Sequence, residues 1–141
     1  MFGTSVKYLL TIAAVLILTA TAQPTQLIRK PIALTNLAGR SLFDQYTLGQ
    51  DIDGAKIIYT SQNQDSFDTI QSQITSSYVF PAADSNNDSI ITKITLYVEA
   101  SDDATTQAYV IDGGIGETAI TLEIVANNSD FLRYMVIIYG K

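Results

Sequence analysis

Through the second half of the chain, apolar and polar positions alternate with period two. In "IITKITLYVE" (90–99), Ile90, Ile94, Leu96 and Val98 share one face, and Lys93, Thr95, Tyr97 and Glu99 share the other. "ETAITLEIVA" (117–126) repeats the pattern, with Ile120, Leu122 and Ile124 set against Glu117, Thr121 and Glu123. "AKIIYT" (55–60) and "TQAYVID" (106–112) are shorter β-branched runs, and "SDDAT" supplies a turn before the second of them. "SFDTIQSQITSSYVF" (66–80) alternates loosely, so a bulge or break near Gln71-Ser72 is expected. "FLRYMVIIYG" (131–140) is apolar on both faces, which predicts a central strand covered on both sides. Short strands at regular spacing with turn residues between them define an all-β chain, a small antiparallel β-sandwich or meander.

The first 49 residues read differently. Lys7 precedes an apolar run from Tyr8 to Leu18, and Ala20-Thr21-Ala22 follows. This order describes a secretory signal peptide (1–22) cleaved after Ala22, since a membrane span needs about 20 apolar residues. Residues 23–48 form an irregular N-terminal extension with prolines at 24 and 31, expected to dock through Leu42 and Phe43. The β-domain proper then covers 49–141. Pro31 directly after Arg29-Lys30 disfavours cleavage at that dibasic pair.

Charge and composition narrow the chemistry. Lys7 is the one charged residue of the leader, so the mature chain keeps seven basic side chains against fourteen acidic ones. Direct nucleic-acid binding needs clustered Lys and Arg to displace counterions, and only Arg29-Lys30 are adjacent. There is no Cys and no His, which excludes Ser-His-Asp and Cys-His catalysis and zinc sites built on those ligands. The carboxylates fall in turns and on polar strand faces, where solvation is their ordinary role. No enzyme activity, cofactor or metal is expected.

Two stretches resemble binding loops and fail on detail. "DGGIGE" (112–117) lacks G-x-G-x-x-G spacing, a following Lys-Ser or Lys-Thr, and a helix N-terminus. Gly113, Gly114 and Gly116 are instead expected in a bend between two strands. "DSNNDSIITKIT" (84–95) places Asp84, Asn86 and Asp88 as a calcium loop would, but the sixth position is Ser89 and the twelfth Thr95. Two N-glycosylation sequons begin at Asn87 and Asn127, each in an expected loop.

"LGQDIDGAKIIYT" (48–60), "IITKITLYVEA" (90–100), "AYVIDGGIGETAITLEI" (108–124) and "FLRYMVIIYGK" (131–141) together resemble the insect multiprotein bridging factor 2 family. The matching positions are Gly49, Gly54, Tyr59, Ile94, Gly113, Gly114, Gly116, Ile138, Tyr139 and Gly140. The chain also departs from the family: many members place an Asp shortly after the strand at 90–98, where this chain has Tyr97 and only later Asp102-Asp103, and residues 23–46 have no counterpart. The resemblance implies a small protein described as a transcription activator or as a salivary secreted peptide, and it supplies no catalytic residues. Two functions follow as expectations. One is a secreted, non-enzymatic protein of saliva or haemolymph that binds a protein or small ligand, free of the membrane once its leader is removed. The other is a coactivator that bridges transcription factors by protein–protein contacts.

Overall fold

The computed structural model describes residues 28–35 and 42–141. The expected leader, the expected cleavage after Ala22, and residues 23–27 and 36–41 of the extension lie outside them. The described chain is all-β, in one antiparallel sheet: β1 (Lys30–Pro31), β2 (Asp44–Gly49), β3 (Lys56–Phe80), β4 (Ile91–Ala100), β5 (Thr105–Gly113) and β6 (Ile120–Gly140). The strand order is β1-β5-β6-β4-β2, and β3 pairs with the other side of β6.

The sheet curls because β6 bends midway. Residues 120–127 of β6 lie between β5 and the second half of β3, whereas residues 131–140 lie between β4 and the first half of β3. The turn after Ala100 carries the chain from β4 to β5 at the same corner. One sheet thus makes two layers that face each other. β6 has to serve both layers, and its alternation shows it: Ile120, Leu122, Ile124, Leu132, Val136 and Ile138 are all at most 1% exposed. Ile94, Leu96 and Val98 of β4 join them in one core with Ile74, Tyr78 and Phe80 of β3. Each such aliphatic side chain contributes about 1.5–3 kcal/mol by burial.

The structure departs from the expected elements in four places. Residues 120–126 and 131–140 belong to one strand, whereas 117–119 stay in the bend before it, and the sequon at Asn127 sits inside β6 instead of in a loop. Asn127-Asn128-Ser129 does carry turn chemistry, and Asn128 takes φ 60, but the ladder continues through the bend. The segments 55–60 and 66–80 are likewise one strand, β3. Its irregularity falls at residues 67–70, which stand against Asp130 alone as the strand rounds the corner. β2 lies within what reads as irregular sequence, pairing with β4 from Asp44↔Val98 to Gly49↔Lys93. Finally, the extension docks through Ile32, which is buried beside Ala108 and accepted into the core, while Leu42 is 81% exposed.

Tyrosines close the core between the layers. The Tyr78 and Tyr134 rings meet edge to face at 6.4 Å, and Tyr59 lies 5.3 Å from Phe80. The Tyr46 hydroxyl pairs with Thr106 Oγ1 at 2.7 Å, joining β2 to β5 across the core. Burial raises the Tyr46 and Tyr78 phenols above the ordinary 10.0. Lys93 is also raised, chiefly by its hydrogen bond to Asp51. In all three cases the folded chain holds its proton more tightly than the unfolded chain. Their contribution is therefore complete below about pH 10 and lost as pH rises further. Stability measured by urea denaturation should fall as pH rises above about 10. Stability that stays constant through that range would contradict this.

Candidate interaction surface

The outer side of β6 carries the feature that sets this chain apart from an ordinary half-solvated sheet. Leu132, Tyr134, Val136 and Ile138 point into the core, which leaves Phe131, Arg133, Met135, Ile137 and Tyr139 on the outside. Four of those five are apolar or aromatic. The expected second covering layer is absent among the described residues: Met135 is 39% exposed, and Phe131, Ile137 and Tyr139 are half-buried. Cross-strand register extends the strip sideways. Tyr97 of β4 and Gln62 of β3 flank Met135, and Lys93 and Ile57 flank Tyr139.

Phe43, Tyr97 and Met135, with Gln62 and Arg133, are among the residues that line a cleft of about 400 Å³ on this face. The one charged group in it is already neutralised. Arg133 Nη1 donates to Glu99 Oε2 at 2.9 Å, its Nε donates to Gln64 Oε1 at 3.0 Å, and its guanidinium lies 6.0 Å from the Phe131 ring centroid. Lys93 is held in the same way, donating to Asp51 at 2.9 Å and lying 5.2 Å from the Tyr139 ring. Tethering both cations leaves the strip apolar in character. At its Phe43 end it meets a second cleft of about 500 Å³, whose lining includes Asp44, Glu99, Asp102 and Asp130. An apolar strip with an acidic rim is the arrangement that results.

The glycines gather at the opposite end of the molecule. The bend after β5 holds Gly113, Gly114 and Gly116, with Gly114 N–H donating to Ala119 O and Glu117 N–H to Gly114 O. It is stitched to the start of β4 by Gly116 N–H to Ile91 O and Ile91 N–H to Glu117 O. Gly49 ends β2 against Thr92, and Gly54 sits in the turn closed by Ala55 N–H to Ile52 O. Gly140 differs, because it lies within β6, and its lack of a side chain admits Ile58 and the Ile90 carbonyl. Tyr139 stands beside it on the outer face. The glycine positions thus belong to the closure of one end, away from the apolar cleft.

The sequons have distinct environments. Asn87 lies in the loop before β4, and its Nδ2 donates to both Ser89 O and Thr118 O. A glycan amide keeps a single N–H, so attachment there would sacrifice one of those bonds. Asn127 accepts from Gln73 at 3.3 Å, and the Ser129 hydroxyl of its sequon is wholly buried. Among the described residues, no group of three or more His, Cys, Asp or Glu side chains is placed to hold a metal ion.

Fold and surface together define a curled antiparallel β-domain that presents a hydrophobic strip with a carboxylate rim. A family model described as transcription activator MBF2 matches residues 48–140, about two-thirds of the chain. The chain belongs to the transcription activator MBF2 family. No curated protein and no solved structure matches it. The surface strip was the part of the site hardest to foresee: its signal was the two-sided hydrophobicity of 131–140, which reads equally well as a doubly covered strand.

Proposed function

We propose that this protein is a non-catalytic binding module that acts as a transcriptional coactivator through protein–protein contacts, in keeping with the description of its family. The uncovered apolar strip centred on Met135 and Tyr97 carries this reading. A central strand with outward Phe, Met, Ile and Tyr and tethered cations suits desolvation against a partner. The acidic rim of Asp44, Asp102 and Asp130 selects a partner segment that brings apolar side chains together with Lys or Arg. The acidic surface also fits a role that avoids direct contact with DNA.

The test is a reporter assay with the full chain co-expressed with candidate transcription factors. Met135→Asp introduces a charge at an exposed position and should lower activation about tenfold, as loss of a central contact does. Retained activation by Met135→Asp would remove the strip from the function. The leader-like pattern of residues 1–22 favours a second reading, a secreted protein that uses the same strip extracellularly. Quantitative recovery of the chain in culture medium, shortened after Ala22 and with no reporter activity, would establish that reading over the first.

A further inference from the structure

β3 is an edge strand along its whole length. It pairs with β6 alone, and its other edge is unpaired among the described residues for 25 positions. The remaining edge strands are short: β1 has two residues and β2 has six. Edges of such length are ordinarily blunted by charge, proline or covering segments, because open N–H and C=O groups template pairing with another chain. β3 has no proline and only Lys56, Asp65 and Asp68 as charges. It also exposes Ile57, Tyr59, Phe67, Ile70 and Val79, a concentration of large apolar side chains on one strand.

We propose that the first half of the β3 edge is a self-association surface, on which a second copy of this chain adds its own β3 antiparallel to form a two-fold dimer. The charges argue for a second copy as occupant, because the segment is complementary to itself. Residues 59–66 pair one to one with β6, so this stretch is regular. With the two-fold axis at Ser61, Thr60 faces Gln62 and Tyr59 faces Asn63 of the other copy. Ile58 is the extra residue of the bulge between Ile57 and Tyr59, so Ile57 then faces Gln64 and Lys56 faces Asp65. Lys56 and Asp65 stand on the same side of the sheet, since their β6 partners Gly140 and Leu132 both belong to the inward series. The pairing therefore creates two Lys56–Asp65 contacts. Neither side chain is engaged in an ion pair among the described residues. Shifting the axis by one residue to Gln62 would instead set Asp65 against Tyr59 and leave both ion pairs unmade, so the charges also select the register. The ion pairs are exposed and specify alignment more than strength, while affinity comes from main-chain hydrogen bonds and the polar Thr, Gln, Asn and Ser rows.

The surface is independent of the proposed coactivator role, and its test uses the mass of the full chain in solution. Sedimentation velocity should show a concentration-dependent shift from one chain to two. Lys56→Glu sets a carboxylate against Asp65 and should weaken the dimer about tenfold, and the charge-swapped Lys56→Glu/Asp65→Lys chain should recover it. The absence of cysteine makes a second readout direct. Ser61→Cys on the axis should form an intermolecular disulfide under mild oxidation, because opposed strand positions bring Cβ atoms within about 5 Å. A chain that stays monomeric at every concentration and does not cross-link through Ser61→Cys overturns the proposal. So does a dimer indifferent to Lys56→Glu.

Discussion

Alanine at Gly49 or at Gly113 is expected to unfold or nearly unfold the domain, whereas alanine at Gly116 should leave it folded. A Cβ at Gly113 would lie 2.2 Å from the Ala119 carbonyl oxygen, and one at Gly49 would lie 2.3 Å from the Thr92 carbonyl oxygen. Both obstacles are backbone, so no rotamer change relieves them. At Gly113 the obstructed atom also accepts the Gly114 N–H that closes the bend. Both positions take positive φ, 68 at Gly113 and 78 at Gly49, which costs an L-residue a further 1–2 kcal/mol or about that. The combined loss should reach about 4 kcal/mol or more, within the class of large effects caused by backbone strain. Gly116 also has positive φ, but open space surrounds its Cβ position. Only the conformational term of about 1 kcal/mol should appear there. Urea midpoints of the three single variants separate the two mechanisms. Equal losses at Gly113 and Gly116 would mean that the close approach contributes nothing.

The bend at 113–116 was legible because the segment after it alternates with period two, which left no helix for a phosphate to sit on. β4 was legible from the alternation of 93–99, although Ile90 lies outside the strand and is 42% exposed because the register shifts between Ile91 and Lys93; the all-β class was legible from the agreement of several such runs. Long strands were harder. β6 carries Asn127-Asn128-Ser129 at its centre, and local turn chemistry cannot distinguish a loop from a bend that keeps its ladder. β3 is an edge, so one side of its first half is solvated on both faces and shows little alternation to detect. β2 has only Tyr46 and Leu48 as large apolar residues on its inward side, too few to stand out beside an irregular extension. The interaction strip exposes the deepest ambiguity. Hydrophobicity on both faces of 131–140 states that both faces avoid water, but whether the second cover comes from the same chain or from a partner is a property of the fold.

The bend in β6 itself should fail when one hydroxyl is removed. Ser129 is wholly buried at the corner where the two layers meet. Its Oγ accepts the Ser101 N–H at 3.0 Å and the Phe131 N–H at 3.3 Å, and it donates to the Phe131 carbonyl at 2.6 Å. Ser101, in the turn between β4 and β5, adds bonds from its own hydroxyl to Asp130 Oδ1 at 2.7 Å and from Asp130 N–H at 3.2 Å. This pair of serines ties the β4–β5 turn to the β6 corner, so the two layers change direction together. Ser129→Ala removes the acceptor from those part-buried N–H groups, at a cost of about 1–3 kcal/mol. Ser129→Thr keeps the hydroxyl but adds a methyl where no space is exposed, so it should also destabilise the fold, by an overpacking cost of about 1–3 kcal/mol. Ser101→Ala retains the Ser129 bond from the Ser101 main chain and should cost less than Ser129→Ala. Hydrogen exchange distinguishes a local from a global effect: in Ser129→Ala, amides of 101 and 130–131 should lose protection first, ahead of the β4 and β6 amides on either side. Uniform loss across the sheet would show instead that the corner is held by core packing, with the serine network adding little.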